Sequence, residues 1–515
     1  MFSAARRPVA SLPRLAAHPA ARRLAATAGK TRRRPNAGIA AGLAGAVSLT
    51  AGAGLFWWST LASPHDGMPT LDGPFPLSER TPYAAFLPPA LTPDDVTRLL
   101  SENAFSGAPR DCGRLTRYHG AQLASNSPCE DRLVHGTIAS PYAGGGSRWA
   151  VWAVLDGHAG AATADVLSRA LVPYVQHRLR EVCGGDASGA NDVAAVKRAI
   201  AQAFVELDTD MMAAATAAAD TTTTTGASLA SKIRTMMPAF AGSCALLALY
   251  DPDKGRLHVA CTGDSRAVLG RQNTLADDDS SSGTWEAVPL TVDQTGRNAD
   301  EVARLQAEHP GEDATLVKDG RVLGLAVSRA FGDGRWKWPL AFQQSIRRRF
   351  YAPPPLTPTY DVRTPPYLTA EPVVTTVHMG KDPNQRYCLI LATDGLWDHV
   401  KSQQAVDLVG RWLDPAEAAA PPAASSTMLE KQKAETNSTG DASEPFDFGH
   451  FWKGVSYKFQ PERTVVEDAN AAVHLIRNSL GGNHGEMLAG RLTFDAPFSR
   501  RLRDDTTVQV VFFNC

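Results

Sequence analysis

The 515-residue chain contains no C-x-x-C pair, and its seven cysteines (Cys112, Cys129, Cys183, Cys244, Cys261, Cys388, Cys515) are scattered and odd in number. That pattern excludes a cysteine-ligated zinc site and a disulfide framework. Net charge is missing too: 52 Lys+Arg against 53 Asp+Glu leave −1 with histidines neutral, which argues against wholesale nucleic-acid binding. The balance conceals local absences. Residues 1–36 hold nine Arg/Lys and no Asp or Glu, the composition of a mitochondrial presequence. Residues 37–63 hold no charged side chain at all. At about 1.5 Å per helical residue such a run can cross a hydrocarbon layer of roughly 30 Å, and Leu55-Phe56-Trp57-Trp58 suits an interfacial anchor. Its Gly/Ala richness leaves a targeting tail as the alternative to an inner-membrane anchor.

What is present is 43% hydrophobic content, ample for a large core. A Pro-rich linker over 64–109 gives way to a short helix at 93–101, with a catalytic domain expected from about Arg110 to Cys515. Low-complexity stretches near 213–231, 274–283 and 414–446 read as solvated insertions. The chain centres on 149–160, WAVWAVLDGHAG. Seven apolar residues, Trp149 to Leu155, read as a strand buried on both faces, and they end at a carboxylate, Asp156. Gly157 permits a sharp turn and leaves its carbonyl open to a ligand; His158 follows, then a helical pattern. An ordinary helix cap would also explain an isolated Asp-Gly-His.

Further carboxylates take the same kind of place. Glu130-Asp131 lies in a loop between strands, Asp264 ends the apolar run RLHVACTGD, YCLILATDG repeats the strand-then-Asp-Gly theme at Asp394 with Asp398 just beyond, and Asp504-Asp505 opens the final strand TTVQVVFF. Buried unpaired carboxylates each cost several kcal/mol, so a convergent set needs cations. Oxygen donors without thiolate, and with His not at ligand spacing, favour Mg²⁺ or Mn²⁺ over zinc. A pair of such ions about 3.5–4 Å apart suits in-line attack of water on phosphorus. Two helices are expected after the opening motif, at 166–179 and 193–211, and Asn298 with Glu301 has capping-box spacing.

In order, CEDR, VLDGHAG, GSCA, TGDSRAVL, LGLAVSRAFGD, ATDGLWD and RDDTTV resemble the metal-dependent Ser/Thr protein phosphatases of the type 2C family. The resemblance covers about 110–515. It implies an α+β fold, a four-layer α-β-β-α sandwich of two mostly antiparallel sheets with outer helices. It also implies that Asp156 bridges two metals, the Gly157 carbonyl binds one, and Asp394 and Asp504 complete the other. Glu130 and Asp131 would order metal waters or sit behind them. Asp264 and Asp398 match a weaker third-metal position, and His158 matches the general acid. Where many members carry a phosphate-gripping Arg four residues before the Glu, this chain has Asn126, leaving Arg132 or another basic residue to substitute. DGHAG, HPGED, FGDGRWKWP, TPPYLTAEP and AAVHLIRNSLGG resemble the pyruvate dehydrogenase phosphatase subgroup, which implies a phosphoprotein substrate, the decarboxylase subunit of pyruvate dehydrogenase. Other mitochondrial phosphoproteins are the rival substrates, and a binding module on the same fold is the rival from another class. Segment 339–372, with Arg347-Arg348-Arg349, is expected as a flap beside the cleft, the Arg triplet in a solvated turn. The oligomeric state stays open.

Overall fold

Alternation along the buried strands sets the architecture. In strand Trp149–Leu155 every residue is buried, but the two faces have different neighbours. Trp149, Val151, Ala153 and Leu155 pack with Leu167, Leu171, Val175, Ile200 and Phe204 from the helices Ala162–Cys183 and Val193–Ala219. Ala150, Trp152 and Val154 pack instead with Leu269, Leu389, Leu391, Val511 and Phe513 of a second sheet. A strand sandwiched this way must be apolar on both faces, which is what a continuous hydrophobic run encodes.

The structure is a computed structural model describing residues 88–515 apart from 111, 185–191, 221–225, 274–283, 381, 383 and 415–457. One sheet runs in spatial order Phe105–Gly107, Leu115–Leu123, Thr506–Phe513, Tyr387–Ala392, Arg266–Gln272, Trp285–Pro289. The other runs Val373–His378, Arg256–Thr262, Ala245–Asp251, Trp149–Leu155, Arg132–Ile138. Every pairing within both is antiparallel. The outer face of the first sheet, through Val268, Ile390, Val508 and Val510, buries residues of the helices Ser402–Leu413 and Ala471–Leu480. The result is the expected four-layer α-β-β-α sandwich.

Several boundaries differ from expectation. The helix at 93–101 is present, capped by Thr92 with Asp95 reaching back to it, but it is no part of a linker. Val96 and Leu100 are buried in the core under the first sheet, and Phe105–Gly107 adds an edge strand, so the packed unit starts near Pro88 rather than Arg110. The Ala/Thr run at 213–231 is not wholly a solvated insertion: residues up to Ala219 continue a helix, with Ala215, Ala218 and Ala219 buried, because Ala is the strongest helix former and its small side chain lets neighbours approach. Glu301 does not complete a capping box. Asn298 caps its helix through the Asp300 amide, while Glu301 is buried and paired with Arg304 and Arg329, which outweigh burial and hold its carboxyl down at about 2. The Arg347–Arg349 triplet occupies the last turn of the helix Leu340–Phe350 rather than a turn, and that helix packs through Ile346 and Phe350 against Ala215 and Met236. The presequence, the possible anchor at 37–63 and the insertions at 274–283 and 414–446 lie outside the described residues, apart from Asp414. Among the described residues no helix is long and apolar enough to cross a membrane.

Candidate active site

The opening strand delivers Asp156 to one end of the sandwich, where its carbonyl accepts from the Cys244 amide at 2.8 Å. Asp264 sits in the turn between Arg256–Thr262 and Arg266–Gln272, and Asp394 begins the short helix that follows Tyr387–Ala392. Three distant parts of the sequence thus meet: one carboxylate oxygen from each of Asp156, Asp264 and Asp394 lies within 4.8 Å of the others. Burial first, and then the neighbouring carboxylates, raise Asp156 and Asp394 well above the usual carboxylate range. Burial also lifts Asp264, to about 6. Asp504, raised by burial, is ion-paired with Arg500 and adds its charge to both Asp156 and Asp394. Such a set is stable when cations neutralise it.

The surrounding residues fit hard divalent ions. Cys244 points its thiol at Asp264 Oδ1 at 3.3 Å, and burial raises that thiol well above its ordinary value, so it is a neutral donor and no thiolate ligand. Asp131 is buried behind the cluster and accepts from the hydroxyls of Thr393 and Thr507 at 3.1 and 2.8 Å; burial and Asp505 push its carboxyl up to about 8. Glu130 is partly buried, raised by that burial, and its backbone passes so close to Gly157 that a Cβ there would lie 2.2 Å from the Glu130 carbonyl oxygen. Only glycine fits this strand end. Asp398, also raised by burial, lines with Asp264 and Asp394 a cleft of about 860 Å³ that Asp319, Gly320 and Arg321 also line. Ala326 lines it as well, whereas the 339–372 stretch does not.

His158 lies next to this cluster with its Nε2 2.7 Å from Asp333 Oδ2. Burial alone would lower the imidazolium pKa; the Asp333 charge and hydrogen bond outweigh it and raise it. Asp333 is itself buried and left-handed, φ 51°. It is held there by its amide on the Ala241 carbonyl at 2.8 Å and by Asp208, which takes the Gly332 amide and the Lys337 ammonium at 2.8 and 2.7 Å. A Cβ at Gly242 would stand 2.2 Å from His158 Nε2 and 2.4 Å from Asp333 Oδ2. Gly242→Ala should therefore cut turnover by about 10²-fold through misplacement of the pair, with an unchanged far-UV circular dichroism spectrum; full activity would show that the pair tolerates displacement.

Sequence reasoning missed Asp333 and Arg500, and gave Asp505 no role beyond its place at a strand boundary. Asp505 accepts from the amides of Ser125, Asn126 and Glu130 at 2.5, 2.8 and 2.8 Å, and from the Asn126 side chain at 3.0 Å, so it shapes the loop that presents Glu130. Arg132 is committed elsewhere, to Asp165 and to the carbonyls of Cys129 and Asp131, each at 2.7 Å.

The protein phosphatase 2C profile matches residues 122–438. The chain belongs to the protein phosphatase 2C family. It is 37% identical to a protein phosphatase 2C homolog of Schizosaccharomyces pombe over 82% of this chain and 85% of that one. It is 35% identical to the mitochondrial pyruvate dehydrogenase (acetyl-transferring) phosphatase 1 of Saccharomyces cerevisiae, over 78% of this chain and 69% of that one. Human mitochondrial pyruvate dehydrogenase (acetyl-transferring) phosphatase 2 shares 31% identity over 78% of each chain. As a protein phosphatase 2C the chain is a protein serine/threonine phosphatase.

Proposed function

We propose that the protein is a Mg²⁺- or Mn²⁺-dependent phosphatase of mitochondria acting on the phosphorylated decarboxylase subunit of pyruvate dehydrogenase. The observation that carries the metal dependence is the meeting of Asp156, Asp264 and Asp394 within 4.8 Å, a concentration of buried negative charge that only cations offset. Mitochondrial placement is supported by the basic, acid-free 1–36 segment and by the mitochondrial relatives, whose named substrate also supports pyruvate dehydrogenase.

In this reading Asp156, the Gly157 carbonyl, Asp394 and Asp504 hold two ions, and Asp264 and Asp398 a weaker third. When bound, the ions screen the phosphoryl oxygens and lower the pKa of water so that it is nucleophilic at neutral pH. Asp131, locked by the Thr393 and Thr507 hydroxyls, fixes the floor of the site, and Glu130 orients solvent at its edge. Water attacks phosphorus, the bond from phosphorus to the serine oxygen breaks, and the leaving oxygen takes a proton from His158. With Nε2 engaged by Asp333, Nδ1 is the ring nitrogen that delivers it. Asp333 keeps the imidazolium charged until that moment.

The direct test is release of inorganic phosphate from a phosphoserine peptide with Mg²⁺, with Mn²⁺ and with chelator. Turnover restored by either ion is expected; none with both would sink the enzyme reading. For the substrate, loss of the gene should raise phosphorylation at the decarboxylase serines, and an unchanged phosphoproteome there would remove that assignment.

A further inference from the structure

Asn126 cannot provide a cationic grip for phosphate, because its side chain is held by Asp505 and carries no charge. The neighbouring arginines narrow the choice of substitute. Arg132 is spent on Asp165 and two carbonyls. Arg266 is forked onto Asp293 at 3.0 and 2.6 Å. Arg503 is buried and donates to the carbonyls of Arg491, Ala124 and Phe494. Arg500 differs from all three. It sits in the turn Ser499–Arg501, is ion-paired with Asp504, and keeps 45% of its side chain exposed.

The turn is fastened to the loop that carries Asn126. The Ser499 hydroxyl donates to the Ser125 carbonyl at 2.5 Å, and the Ser125 hydroxyl donates to the Arg503 carbonyl at 2.7 Å. Arg500 is therefore brought to the Asn126 side of the site by a different piece of chain. Its ion pair is with Asp504, whose charge bears on both Asp156 and Asp394, so the guanidinium stands at the edge of the acid cluster.

We propose that Arg500 is the residue that grips the substrate phosphate, doing from the 499–501 turn what Asn126 cannot do from its own loop. The proposal rests on the phosphatase reading. A guanidinium presents paired N–H donors that match phosphate oxygens, and with Asp504 engaged by cations its carboxylate no longer competes for them.

The experiment compares the parent with Arg500→Ala, Arg500→Lys and the double variant Arg500→Ala/Asn126→Arg. It reads KM and kcat on a phosphoserine peptide, calorimetric binding of inorganic phosphate to the Mn²⁺-loaded protein, and Mn²⁺ affinity without phosphate. Arg500→Ala should raise KM and weaken phosphate binding about 10- to 100-fold, with Mn²⁺ affinity changed less than about threefold. The lysine variant should fall between, and Asn126→Arg should restore part of the phosphate affinity. Unchanged phosphate binding in Arg500→Ala, or a loss matched by lost Mn²⁺ affinity, would leave Arg500 as no more than an ion-pair partner of Asp504 and overturn the proposal. A parent that turns over peptide while Arg500→Ala binds phosphate normally defeats this proposal alone. A parent that neither turns over nor binds phosphate defeats the phosphatase reading with it.

Discussion

Asp156→Asn should release phosphate about 10²- to 10³-fold more slowly than the parent, yet its metal-free form should melt higher. The two effects have one cause. Asp156 is buried among Asp394, Asp131, Asp264 and Asp504, so without cations the fold carries a like-charge cluster that the amide relieves. The same logic gives a pH dependence. Unfolded, the Asp264 carboxyl ionises near 3.8; folded, it holds its proton to about 6. Because the folded state then binds more protons than the unfolded one, this group lowers metal-free stability as pH rises from about 4 to 6, by at most about 3 kcal/mol, and Asp131, whose carboxyl is pushed up to about 8, carries the fall further. Mg²⁺ or Mn²⁺ at about 100 times its dissociation constant should restore about 2.7 kcal/mol at pH 7. Calorimetric melting with and without ion, at pH 4.5 and 7, checks both. A parent whose melting temperature rises with pH in chelator, or an Asp156→Asn variant still stabilised by ion to the parental extent, would show that these acids do not form the metal site.

The strand ends were legible in sequence because burial on both faces writes itself as an unbroken apolar run, as at Trp149–Leu155 and Tyr387–Ala392, and an acid at the end of such a run stands out. Their convergence was not legible from spacing, since antiparallel pairing brings Thr506–Phe513 beside Tyr387–Ala392 across more than a hundred residues. Asp333 escaped for the opposite reason. It follows only the two-residue strand Phe331–Gly332, and its position comes from a left-handed turn tied to Asp208 on a distant helix. The one available signal was the Gly-Asp-Gly at 332–334, which favours positive φ. The helix at 93–101 was readable from Thr92, Pro93 and Asp95, whereas its membership of the core was not, because Val96 and Leu100 are ordinary helical apolar residues until the sheet they cover is known. At 213–219 low complexity suggests a solvated insertion, but the alanines are the telling residues, since they continue a helix and pack.

His158→Ala should lower kcat on a phosphoserine peptide about 10²- to 10⁴-fold while leaving turnover of an aryl phosphate with a good leaving group within about tenfold. A serine alkoxide is too basic to depart unprotonated, and a nitrophenolate is not, so under the proposed mechanism only the first reaction needs a proton from His158. Asp333→Asn separates supply of the proton from its placement. The amide still accepts a hydrogen bond from Nε2 but removes the charge that, with that bond, holds the imidazolium pKa above its ordinary value. The sign follows directly: kcat on the peptide should fall at neutral and alkaline pH, where the variant's histidine is neutral, and recover as pH drops toward the lowered pKa. The recovery must be read at saturating Mn²⁺, since the carboxylate ligands also bind protons as pH falls. An acidic shift of the descending limb on the peptide substrate, absent on the aryl phosphate, identifies His158 as the proton donor. Equal losses on both substrates would instead make it a residue that holds the site together without giving up a proton.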